Sequence, residues 1–195
     1  MKNIKKQSGF TVIELLIATA VFSVVLLVFI TAFLRISELF YKGVNLSNTQ
    51  EAARTITQDI ASDIQFYHAQ PQSFANYFCI GSHRYAFNQF VQYVPGTNYG
   101  LLEEDLSGCP ALNSPSPNTN TGHELLSAGM QLNKMQISCA LNECTVSVRV
   151  VFYGSDPSVL SPAANSPTAV CTGPDESTQF CATAEYNSTV VLQGT

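Results

Sequence analysis

The stretch Ser8-Gly9-Phe10-Thr11-Val12-Ile13-Glu14-Leu15-Leu16 joins a short basic leader to a long apolar run and places a carboxylate early in that run. From Phe10 to Leu34 there are 25 residues, and only Glu14 is charged. At about 1.5 Å of rise per residue, a helix of that length crosses a hydrocarbon core of roughly 30 Å. Lys2, Lys5 and Lys6 precede the run, so the excess of positive charge predicts a cytoplasmic N-terminus with the bulk of the chain beyond the membrane. A cleavable secretory signal has a shorter apolar stretch followed by an Ala-x-Ala-like site. Here Ala18-Thr19-Ala20 lies inside the run, so the helix is expected to be retained.

Glu14 needs a reason to be there. A carboxylate inside a membrane helix costs about 2.5 to 3.5 kcal/mol on insertion scales, and such residues usually have a partner. An ordinary signal anchor with Glu14 hydrated near the cytoplasmic face leaves Gly9 and its flanking pattern unexplained. The stretch resembles the N-terminus of a type IV prepilin. That resemblance implies cleavage between Gly9 and Phe10 by a membrane-embedded prepilin peptidase, N-methylation of Phe10, and pairing of Glu14 with the new amine of a neighbouring subunit during filament assembly. It also implies other pilins or pseudopilins and an inner-membrane assembly platform as partners. The chain would begin as a single-pass protein of the cytoplasmic membrane and end in an extracytoplasmic filament.

Charge narrows the remaining functions. Nine basic and 14 acidic side chains give a net charge of −5, and losing Lys2, Lys5 and Lys6 with the leader makes it −8. Beyond Arg54 the basic residues are Arg84, Lys134 and Arg149, which do not cluster in sequence. Nucleic-acid binding needs clustered cations and is disfavoured. All six cysteines, Cys79, Cys109, Cys139, Cys144, Cys171 and Cys181, follow the apolar run. An even number in an exported domain reads as disulfides. Pairing of sequence neighbours is preferred, although the sequence leaves the connectivity open. No Cys-x-x-Cys and no Cys/His cluster has metal-ligand spacing, which disfavours zinc and thiol-redox roles.

Four segments follow: a leader over 1–9, a transmembrane and assembly helix over 10–34, an amphipathic second half of that helix over 35–67, and a disulfide-bonded β domain over 68–195. Ala53, Ile56, Ile60, Ile64 and Tyr67 form a stripe at helical spacing. Gly43 and the stretch to Gln50 are a weak point, where Ser47 and Gln50 match a capping box. From Tyr77 the periodicity becomes that of strands. Tyr85, Phe87, Val91 and Tyr93 alternate ahead of the turn Pro95-Gly96-Thr97-Asn98 and Leu101-Leu102. Gln136 to Cys139 and Cys144 to Tyr153 form a second hairpin, and Ala182 to Leu192 a last strand. Ser107 to Gly122 and Gly154 to Gln179 read as long surface loops.

The fold class is therefore α+β, a long N-terminal helix packed on an antiparallel sheet, which is the pilin architecture. Gln92-Tyr93-Val94, Gly100-Leu101-Leu102 and Ser188-Thr189-Val190-Val191-Leu192 resemble the J-type minor pseudopilins, called W-type in pili, although Gln193-Gly194 stands where those often end in Arg-Asn. Major pilins often carry a proline within the membrane segment, whereas the first here is Pro71. The reading is a non-enzymatic minor subunit that starts, caps or tips a pilus-like or type II secretion filament. The alternatives are a major shaft subunit, or a tip module that binds DNA or a surface. His68, His83 and His123 are isolated and read as surface histidines. Glu103-Glu104-Asp105 and Asp175-Glu176 could offer oxygen ligands to calcium, but without a spaced Asp-x-Asp pattern they read as solvated acidic turns and no cofactor is expected.

Overall fold

The structure, a computed structural model, describes residues 10–106, 108, 109, 117, 119, 121–172 and 180–192. Helix α1 runs from Val12 to Tyr67. The stretch around Gly43 stays helical, because one glycine costs only about 1 kcal/mol and the Thr49 hydroxyl, buried, donates to the Asn45 carbonyl at 2.7 Å instead of capping a new start. The chain divides into two compact units, Met1–Phe40 and Tyr41–Thr195. In the first, residues 10–36 are all exposed. Thr19, Ser23, Thr31 and Ser37 each donate their hydroxyl to a backbone carbonyl one turn back, so these polar groups need no outside partner on an apolar surface.

In the second unit, α1 buries Ala53, Ile56, Ile60 and Ile64, the expected stripe, together with Thr49, Thr57 and Ala61. Tyr67 at its end is half-buried. Burying each isoleucine contributes about 1.5–3 kcal/mol. The stripe packs on two antiparallel sheets. The first has the order β1 (Gln72–Ser73), β2 (Tyr77–Ile80), β3 (His83–Phe87), β4 (Leu101–Asp105), β5 (His123–Glu124). The second has β6 (Met130–Ala140) and β10 (Ala182–Val191) on either side of β7 (Glu143–Phe152). Phe78, Ile80, Tyr85 and Leu101 from the first sheet meet Leu132, Val146, Val148 and Val150 from the second in the same core as the isoleucines. Gly81, at the turn between β2 and β3, has φ +58°, and a Cβ there would lie 2.2 Å from the Tyr67 ring. Only glycine fits both the backbone and that contact.

The first expected hairpin is shorter than its alternation suggested. Strand β3 ends at Phe87, because Phe90 takes φ +64° and the chain crosses to the second sheet, with Phe90 N donating to Leu132 O at 3.0 Å and Tyr93 N to Met130 O at 2.8 Å. Val91 and Tyr93 therefore do not extend β3. The turn at Pro95 to Asn98 does form, with Thr97 N donating to Val94 O. Glu124 then gathers the return. Its carboxylate accepts from the backbone N–H groups of Gly100, Leu101 and Leu126 at 2.9 to 3.0 Å.

The presumed loop after Gly154 is also a correction as far as Thr172. It contains a short 3-10 helix at Pro157–Val159 and the strand pair β8 (Leu160–Ser161) and β9 (Val170–Cys171). Val159, Leu160, Ala169 and Cys181 bury against Val151 in a second small core. Asn133, at a bulge in β6, donates to the carbonyls of Ala164 and Ser166, and buried Gln131 donates to Ala164 as well. These amides hold the segment down, and apolar periodicity alone could not reveal them. Much of the Ser107 to Gly122 segment lies outside the described residues.

The disulfides join Cys79 to Cys109, Cys139 to Cys144 and Cys171 to Cys181. Cys139 and Cys144 are direct partners in the β6–β7 ladder. On the face of β7 away from the main core, Glu185 of β10 lies between Lys134, at 2.8 Å, and Arg149, whose Nε donates at 3.0 Å. The Lys134 and Arg149 hydrogen bonds hold the Glu185 carboxyl down at about 2. A lowered carboxyl pKa stabilises the fold above its ordinary value near 4.5 and loses that contribution as pH falls toward 2. Because the group is partly solvated, about 1–2 kcal/mol is expected to disappear over that window. Urea unfolding of wild type and Glu185→Gln at pH 6 and pH 2.5 checks this: the difference at pH 6 should shrink markedly at pH 2.5.

Candidate functional site

Two places in the described chain concentrate polar chemistry. The first is the start of α1. Thr11 precedes the helix and Glu14 is its third residue. Glu14 Oε2 accepts from the Thr11 amide and from the Thr11 hydroxyl, both at 2.8 Å, while the Glu14 amide donates to Thr11 Oγ1 at 3.3 Å. This is a reciprocal capping box that satisfies donors otherwise left open at a helix start. Thr11 was missed in the sequence reading, although Thr11-x-x-Glu14 is the capping pattern. Phe10 is 90% exposed. Gly9, the expected cleavage residue, lies outside the described residues. Both Thr11 bonds fall on Oε2, so Oε1 takes neither of them and an incoming cation can reach it without displacing Thr11. Among the described residues α1 is the one helix long and apolar enough to cross a membrane.

The second place corrects the reading of isolated histidines. Strands β3 and β4 pair so that His83 faces Asp105 and Tyr85 faces Glu103, which puts all four on the face turned to α1. Asp63 of α1 closes the group. His83 Nδ1 lies 2.6 Å from Asp63 Oδ2 and 3.4 Å from Glu103 Oε1, and His83 Nε2 lies 3.0 Å from Asp105 Oδ1. The Tyr85 hydroxyl donates to the same Asp63 oxygen at 2.6 Å. Burial pulls the His83 imidazole down, but the hydrogen bond and charge of Asp63, with Glu103 and Asp105, outweigh it and hold His83 above its ordinary value. Burial pushes the Glu103 carboxyl up against the opposing charge of His83, and Asp63, Asp59 and Asp105 push it further.

Glu103-Glu104-Asp105 is therefore a strand and not a solvated turn. Glu104 points to the opposite face and pairs with buried Arg84 through Nε at 2.8 Å and through NH2. Asp175 and Glu176 lie outside the described residues. His68, at the end of α1, is exposed with φ +48°, and His123 is exposed on β5. The structure thus joins His83 to carboxylates, leaves His68 apart, and sets His123 beside Glu103 as its cross-strand partner. All six cysteines are bridged.

A family pattern described as the prokaryotic N-terminal methylation motif matches residues 4–30. It covers the leader from residue 4, the Gly9-Phe10 junction, Glu14 and most of the apolar run, and it supports a type IV prepilin-like protein. No curated protein and no solved structure matches the chain.

Proposed function

We propose that the chain is a minor pilin or pseudopilin of the J or W type, a structural subunit that starts, caps or tips a pilus-like or type II secretion filament. The observation that carries the proposal is an exposed apolar helix headed by a self-capped carboxylate and followed by a disulfide-closed β domain. Such a helix needs a covering environment, first lipid and then the helices of neighbouring subunits. The prepilin peptidase removes residues 1–9 and methylates Phe10, the assembly platform receives the mature helix, and Glu14 pairs with the amine of a neighbouring Phe10. The domain stays outside the membrane as a non-enzymatic head. The absence of proline before Pro71 favours a minor over a shaft role.

Copy number and position in isolated filaments test this reading. A minor subunit is present at a few copies near one end by quantitative mass spectrometry and immunogold labelling. Labelling along the whole shaft at stoichiometric abundance would make it a major pilin instead.

A further inference from the structure

We propose that Asp63, His83 and Glu103 form a binding site for one divalent first-row transition ion, represented by zinc, which clamps helix α1 to strands β3 and β4. This goes beyond the filament role and does not depend on it. The three side chains come from three different elements, and one ligand atom from each lies within 4.8 Å of the other two. An ion bonded to nitrogen and oxygen at about 2.0–2.2 Å in tetrahedral geometry separates its ligand atoms by roughly 3.3–3.6 Å. The Nδ1 to Glu103 separation of 3.4 Å already fits. The Nδ1 to Asp63 separation of 2.6 Å is that of a hydrogen bond and opens by less than about 1 Å once the ion replaces the shared proton.

The surroundings are those of a metal ligand set. Both nitrogens of His83 face carboxylate oxygens, and a neutral imidazole carries only one N–H. With the Nε2 proton held on Asp105 at 3.0 Å, the Nδ1 lone pair is directed to the gap between Asp63 and Glu103. A carboxylate on the far nitrogen of a histidine ligand fixes the tautomer and orients the ring. Tyr85, fully buried, donates to Asp63 Oδ2 and so orients the second ligand, leaving that oxygen a further lone pair. On binding, the ion takes Nδ1 and one oxygen from each of Asp63 and Glu103, and the Nδ1 proton leaves to solvent.

Charge points the same way. Even a protonated His83 brings one positive charge to Asp63, Glu103 and Asp105, and among the described residues the ion pairs of these three carboxylates are all with His83. The ligand side chains are 17–25% exposed, so an ion has access and one coordination position stays open to water. The imidazole nitrogen selects zinc-like ions over calcium, which prefers an all-oxygen cage.

The test uses the full chain in detergent, stripped with chelator and titrated with zinc chloride in a calorimeter. The expected result is one ion per chain and a thermal midpoint several degrees higher at saturation. Cobalt(II) should give visible absorption bands of a nitrogen and oxygen site. Glu103→Gln, isosteric and partly exposed, should weaken zinc binding at least about tenfold. Asp105→Asn should weaken it by roughly 10–100-fold through the ring orientation alone. His83→Gln should abolish binding, with circular dichroism of the metal-free variants confirming the fold. A wild-type chain that gives neither heat nor a midpoint shift overturns the proposal. So does equal zinc binding by wild type, Glu103→Gln and His83→Gln, or a midpoint shift with calcium and none with zinc.

Discussion

Replacing Glu14 with alanine is expected to leave a chain that is processed and resident in the membrane but enters filaments at least about tenfold less than wild type. The carboxylate is unfavourable to insert, so its removal keeps or strengthens membrane residence. Its loss also removes the carboxylate half of the capping box with Thr11, which weakens the helix start locally. On the proposed pairing, what is lost at assembly is a charge-assisted bond to a neighbour's amine, which lowers incorporation by roughly 10–100-fold. Immunoblots of sheared filaments against the membrane fraction measure the ratio. Some tip subunits of the prepilin family lack the acid, so a graded loss indicates a place near the tip, whereas unchanged incorporation would remove Glu14 from the mechanism.

Glu104→Ala is expected to destabilise the domain by about 3–5 kcal/mol. Arg84 and Glu104 are each only 5% exposed, cross-strand partners on β3 and β4. Removing Glu104 takes away the buried carboxylate bonded to the Arg84 guanidinium, which costs more than the pair contributes. Glu104→Leu together with Arg84→Leu should recover much of the loss, because an apolar replacement of both members removes both buried charges together. Urea unfolding under non-reducing conditions gives both values. A loss below about 1 kcal/mol for Glu104→Ala would mean that the guanidinium reaches water or another acceptor.

What could be read from the residues was set by local periodicity. The stripe of Ala53, Ile56, Ile60 and Ile64 and the alternation of Thr145 to Val150 dictate which face is buried, and both faces are found in the core. Residues that act through pairing between strands could not be read this way. His83 and Glu103 meet only because β3 pairs with β4 in one register, and a shift of one residue would send His83 to the other face. The end of β3 at Phe87 depended on a positive φ at Phe90, unusual for a residue of that size. Thr11 was legible and overlooked, since the capping box is a local pattern.

The central claim is that the mature chain begins at Phe10. Intact mass of the chain extracted from membranes containing a prepilin peptidase tests it most directly. The account predicts a mass lacking residues 1–9 and carrying one added methyl group, with fragmentation placing that methyl on the Phe10 nitrogen. A chain still starting at Met1 in the presence of the active peptidase would contradict it.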